Sequence, residues 1–173
     1  KMIDQPVAAM YLVSQEIESM SDFAINMLVR LQEALKFGKA YAAYENFKEN
    51  MEAVCNLQES ITNYITRLFS SGNLTGQQSE QAAALLYVAN NIQRIADRCK
   101  DIDEIWNQIE EKGMNLSKIA SKELDNCIGI TINLLKNAIA AVKEGESDRA
   151  ELVFQGRKQM HKAQKKFNKA HLN

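Results

Sequence analysis

An all-α fold, an up-and-down antiparallel bundle of long helices, is what this sequence predicts, and three observations carry that reading. The 173 residues hold one proline and seven glycines, few aromatics, and an abundance of Ala, Leu, Ile, Glu, Gln, Lys and Asn, so helix breakers are scarce. Apolar residues recur at alternating spacings of three and four, the period of a helix with one buried stripe. The few turn signals fall at Gly38, Ser70-Ser71-Gly72-Asn73, Gly113 and Gly145, which cut the chain into long pieces joined by short connections. Short connections between long helices force neighbours antiparallel.

The first helix is expected over about residues 7 to 37, where Met10, Val13, Ile17, Met20, Ala24, Met27, Leu31 and Ala34 form one seam. Pro6 suits a first turn and Gly38 a C-terminal stop. The second, about 40 to 69, repeats the pattern through Ala43, Phe47, Met51, Val54, Leu57, Ile61, Ile65 and Leu68. The third carries Leu85, Ala89, Ile92, Ala96, Cys99, Ile102, Trp106 and Ile109 and ends at Gly113. A fourth runs from about Leu116 to Lys143 through Ala120, Leu124, Cys127, Leu134, Ala138 and Ala141. A fifth starts near Ser147 and continues to the end.

Shifting the register by 107 residues sets Leu28 on Leu135, Ala34 on Ala141, Lys36 on Lys143, Gly38 on Gly145, Ala43 on Ala150 and Phe47 on Phe154. These identities surround one helix-loop-helix junction and point to an internal duplication. The expected organisation is one shared domain, with residues 1–113 as a first three-helix repeat. Residues 114–173 are then the first two helices of a second repeat whose sixth helix is missing.

The balance of 21 basic against 22 acidic residues leaves a net charge of -1, which gives no reason to expect a nucleic-acid partner. No uncharged apolar run approaches the roughly 18 to 20 residues of a membrane span, and no signal-peptide pattern opens the chain, so a soluble fragment is expected. The ends, Lys1-Met2-Ile3-Asp4 and a last helix without a capping signal, suggest a piece of something longer. Cys55, Cys99 and Cys127 are odd in number, far apart and beside apolar stripes, which reads as buried reduced thiols.

Catalytic arrangements are missing: the sequence has no G-x-S-x-G, no phosphate-binding lysine loop, no dinucleotide glycine fingerprint and no Cys/His pair with an orienting group. The expectation is a protein that is not an enzyme. Four acidic pairs spaced i, i+4 place two carboxylates on one helix face: Glu18/Asp22, Glu45/Glu49, Asp97/Asp101 and Glu144/Asp148. Such a pair can hold a hard cation, or it can be a solvated face. His161 and His171 lack zinc-site partners, and His161 falls at an interior stripe position, read as a helix face left uncovered by the missing sixth helix. Arg157, Lys158, Lys162, Lys165, Lys166 and Lys169 make the last helix basic. That face is a candidate membrane or partner contact, or a complement to acidic neighbouring helices.

The run Ala89-Asn90-Asn91-Ile92-Gln93-Arg94-Ile95-Ala96-Asp97 resembles the PhoU signature, in which an acidic residue, Arg, Ile, Gly and Asp precede a histidine. Arg94, Ile95 and Asp97 are kept, whereas Gln93, Ala96 and Arg98 depart from it. Tandem three-helix repeats are also the PhoU architecture. Pro6-Val7-Ala8-Ala9 followed by Glu16-Ile17-Glu18-Ser19-Met20 is similar to the start of the PhoU-like domain that follows the membrane part of bacterial sodium/phosphate cotransporters.

The resemblance implies a regulatory domain in phosphate uptake, on the cytoplasmic side of the bacterial inner membrane. Its expected partners are the transmembrane part of the same transporter chain and, as a candidate, a second copy. It also implies divalent or iron ions on E/D-x-x-x-D motifs. Glu18-x-x-x-Asp22 matches in full, while Asp125-x-x-x-Gly129 and Gln93-x-x-x-Asp97 have each lost a carboxylate; Glu18, Asp22, Asp97 and Asp101 are the candidate metal ligands. A stand-alone helical-bundle or coiled-coil adaptor or sensory module, without a phosphate link, is the alternative, because a seam such as Met10 to Ala34 serves those proteins as well.

Overall fold

A computed structural model describes residues 4–38 and 47–155. Among the described residues there are five helices and no strand: α1 (Pro6–Phe37), α2 (Phe47–Ser70), α3 (Gly76–Glu111), α4 (Lys118–Lys143) and α5 (Ser147–Gln155). The all-α expectation holds, and each break falls on a predicted turn. Ala43 and the first residues expected in α2, together with the chain after Gln155, lie outside the described residues.

The chemistry of the helix ends explains the boundaries. Pro6 opens α1, where its missing N–H would have had no partner. Thr75 and Gln78 form a reciprocal cap on α3. The Gln78 backbone N–H donates to Thr75 Oγ1 at 3.1 Å, and the Thr75 backbone N–H donates to Gln78 Oε1 at 3.0 Å. Ser117 Oγ accepts the Ala120 N–H at 3.0 Å and starts α4. Gly145 takes φ +74 just past α4, where Glu146 N–H reaches Ala141 O and Gly145 N–H reaches Val142 O. That left-handed turn is accessible to glycine and rare for other residues.

Helix α1 is the spine of the bundle. All eight residues of its predicted seam are buried, and α1 packs on α2, α3 and α4. Ile17, Met20, Met27 and Leu31 are fully enclosed, each side chain contributing about 1.5–3 kcal/mol by leaving water. In α2 the predicted stripe is buried at Phe47, Val54, Ile61, Ile65 and Leu68, with Met51 and Leu57 half-buried. In α3 it is buried from Leu85 to Cys99 and again at Trp106, with Ile102 and Ile109 half-buried.

The fourth stripe differs from expectation. Ala120, Ala138 and Ala141 are buried, but Leu124, Cys127 and Leu134 are only half-buried. The face turned to the core carries Ile128, Thr131, Ile132, Leu135, Ile139 and Val142. Helix α4 has apolar residues on two faces, and packing against α1 selects one of them. The other borders a groove of about 410 Å³ between α3 and α4, two consecutive helices that barely touch, and Phe154 of α5 also lines it.

Some positions related by the 107-residue shift match in burial and others do not: Ile17, Met20 and Met27 are buried, whereas Leu124, Cys127 and Leu134 are half-buried. Leu28 and Leu135, Ala34 and Ala141, and Phe47 and Phe154 are buried, while Lys36 and Lys143 are exposed. Gly38 and Gly145 both have positive φ and follow the ends of α1 and α4.

Candidate functional site on the seam of the first and fourth helices

Glu18, the first carboxylate of the complete E-x-x-x-D motif, sits half-buried one position past the seam residue Ile17. Its Oε1 receives the ammonium of Lys143, the last residue of α4, at 2.7 Å. The hydrogen bond to Glu18, then the charge of Glu18 and that of Asp22, hold the Lys143 ammonium above its ordinary range. Glu18 and Lys143 face a cleft of about 400 Å³ bordered by Tyr11, Ser14, Gln15, Gln78 and Gln81.

Helix α4 runs antiparallel to α1 along this seam. Glu18 meets Lys143, and a Cβ added at Gly129 would come 3.9 Å from Gln32 Nε2, so the chain ascends in one helix where it descends in the other. The two contacts lie the same number of residues apart on each helix. Towards the other end of the seam, Lys36 and Asp125 border one cleft of about 470 Å³. Asp125 is the counterpart of Glu18 in the shifted register, and Lys36 that of Lys143.

Asp97 and Asp101 are exposed on α3, where Asp101 accepts a hydrogen bond from Arg98 at 3.3 Å. The charge of Asp97 is felt at Cys55 on α2, so this acid pair belongs to a different seam from Glu18 and Asp22. Arg94 and Ile95, the kept positions of the signature run, border the α3–α4 groove. Among the described residues no group of three or more His, Cys, Asp and Glu converges to hold a metal ion.

A multinuclear hard-cation or iron site does not fit this donor set. Glu18 is already bonded to an ammonium, Asp125 faces Gly129 where a second carboxylate would stand, and Asp97 and Asp101 form an exposed pair with no third ligand converging on it among the described residues. Lys143 was not among the residues the sequence singled out. Its only signal there was its alignment with Lys36 at the end of the duplicated junction. The six basic residues from Arg157 to Lys169, together with His161 and His171, lie outside the described residues.

The three cysteines are free, with Cys99 buried and Cys55 and Cys127 half-buried, a smaller degree of burial for the latter two than expected. Burial pushes the Cys99 thiol up to about 12. It raises Cys55 and Cys127 as well, assisted by the nearby charges of Asp97 and Glu123 respectively. Thiols raised in this way are poor nucleophiles at neutral pH.

The described helices form an all-α bundle with polar contacts across its seams, Lys143 to Glu18 and Gln58 to Asn90 among them. Residues 17–106, just over half of the chain, match the PhoU domain, and the chain belongs to the PhoU domain family. That family is associated with the regulation of phosphate transport and is not a known enzyme family. No curated protein and no solved structure matches the chain. None of the described helices is long and apolar enough to cross a membrane.

Proposed function

We propose that this chain is the regulatory PhoU-like domain of a bacterial sodium-dependent phosphate transporter. On this reading it lies on the cytoplasmic side of the inner membrane and acts through helix-face contacts with the transmembrane part of its own chain. The observation that carries the reading is family membership over residues 17–106. The similarity of Pro6–Met20 to the start of the transporter-borne PhoU-like domains supports the finer link.

Surface chemistry agrees with a domain that signals by contact. Val7 and Tyr11 are 73% and 62% exposed on the first turns of α1, and Leu152 is 63% exposed on α5. Large apolar side chains at such exposure suit a partner surface. Arg157, Lys158, Lys162, Lys165, Lys166 and Lys169 supply the charge that would favour an anionic leaflet, at about 1 kcal/mol per basic residue near the surface.

Deletion from the full-length protein tests the proposal. Removing residues 1–173 should alter sodium-dependent uptake of radiolabelled phosphate by cells while the remaining protein still inserts in the membrane. A gene in which a start codon directly precedes Lys1, with no apolar spans upstream, overturns the transporter link.

A further inference from the structure

We propose that Lys143 is a resident cation for the acidic face of α1, and that Lys36 holds the matching place opposite Asp125, so that ammonium groups of the chain itself close the α1–α4 seam where metal ions were expected. The proposal is independent of the transporter reading. It begins from the placement of the two lysines. Each stands in the last turn of its helix, α1 for Lys36 and α4 for Lys143. Lys143 is paired with Glu18, its Nζ 2.7 Å from Glu18 Oε1, and Lys36 borders the cleft that Asp125 also lines.

A position in the last helical turn suits a cation, because the unpaired carbonyls there carry partial negative charge. A carboxylate from another helix adds a charge-assisted hydrogen bond. Competition with a free metal ion also favours the lysine. Two carboxylates one turn apart give a hard cation few of the six or more oxygens it seeks, and sites of low ligand count fall at the weak end, roughly millimolar. An ammonium carried on a neighbouring packed helix is present at an effective concentration on the order of millimolar or above, whatever the metal supply. Glu18/Asp22, the complete motif, is also the one whose lysine has closed onto it.

Titration of the purified chain with Mn²⁺, following free Mn²⁺ by electron paramagnetic resonance, tests this directly. Binding by the parent should be unchanged by Glu18→Gln. Lys143→Met should uncover a site at least tenfold tighter than any binding at Glu18 in the parent, and adding Asp22→Asn should abolish the gain. Lys143→Gln provides the same test should the methionine variant lose helicity. For the second half, Lys36→Met alone should gain nothing, because Gly129 supplies no second carboxylate. Lys36→Met combined with Gly129→Asp should gain a site, since a Cβ at Gly129 meets nothing closer than 3.9 Å. Parent protein that binds Mn²⁺ and loses it in Glu18→Gln overturns the proposal, and so does the absence of any gain in both Lys143 variants. Failure of the Lys36/Gly129 double variant alone overturns the second half.

Discussion

Cys99 shows how one buried side chain can set a pH limit for the whole domain. Its thiol lies against α3's neighbours at 1% exposure, and burial lifts it from 9.0 to about 12. The folded state therefore holds the proton more tightly than the unfolded state does. This thiol's contribution to stability is unchanged below pH 9 and falls as pH rises from 9 towards 12, by up to about 1.4 kcal/mol per unit for one proton. Urea midpoints measured from pH 8 to 11 should decline, and Cys99→Ala should flatten part of that decline. A thiol reagent at pH 8 should label Cys99 only once the protein is unfolded, with Cys55 and Cys127 reacting earlier.

At the scale of elements, helix starts and buried faces carry separate energies. Thr75→Ala removes one half of the reciprocal cap on α3 and should cost about 1 kcal/mol in denaturant unfolding, and Ser117→Ala a similar amount on α4. Adjacent leucines in α4 give a sharper comparison. Leu135 is fully buried and Leu134 half-buried, so Leu135→Ala should cost about 2–5 kcal/mol and Leu134→Ala clearly less. Equal losses would mean that the face towards the α3–α4 groove is as tightly covered as the core.

The same pair of leucines marks how far the sequence could be read. The eight seam residues of α1 were legible because they fall on one helical face that packs on neighbouring helices, whereas buried Ala9, Ser21 and Leu28 lie beside that seam and were not named as part of it. In α4, apolar residues occupy two faces, and periodicity states that a face exists without stating which neighbour covers it. The acidic positions Glu18 and Asp22 were likewise legible as a motif. Their partner was not, because Lys143 comes from the far end of another helix, and only the antiparallel packing of α4 on α1 brings it there.

Across the molecule as a whole, among the described helices, α1 packs on α2, α3 and α4, while α5 packs on α3 and α4. Helices α3 and α4, though consecutive, hardly meet. Hydrogen exchange should therefore be slowest in the middle of α1, around Ile17 to Leu31, and should report global unfolding there.

Reciprocity along the α1–α4 seam has a consequence for ancestry. Glu18 meets Lys143, and Lys36 and Asp125 border one cleft, so the acid and base positions related by the 107-residue shift fall along one seam. A surface of that kind is self-complementary, the property that lets two identical chains pair about a twofold axis. If the halves are repeats, a gene encoding one of them, before it was copied in tandem, could have produced this seam as a homodimer. Residues 1–113 expressed alone should still self-associate, with Lys36 of one copy reaching Glu18 of the next, and light scattering after size exclusion would give their mass. A strictly monomeric half would place the origin of the seam after the duplication.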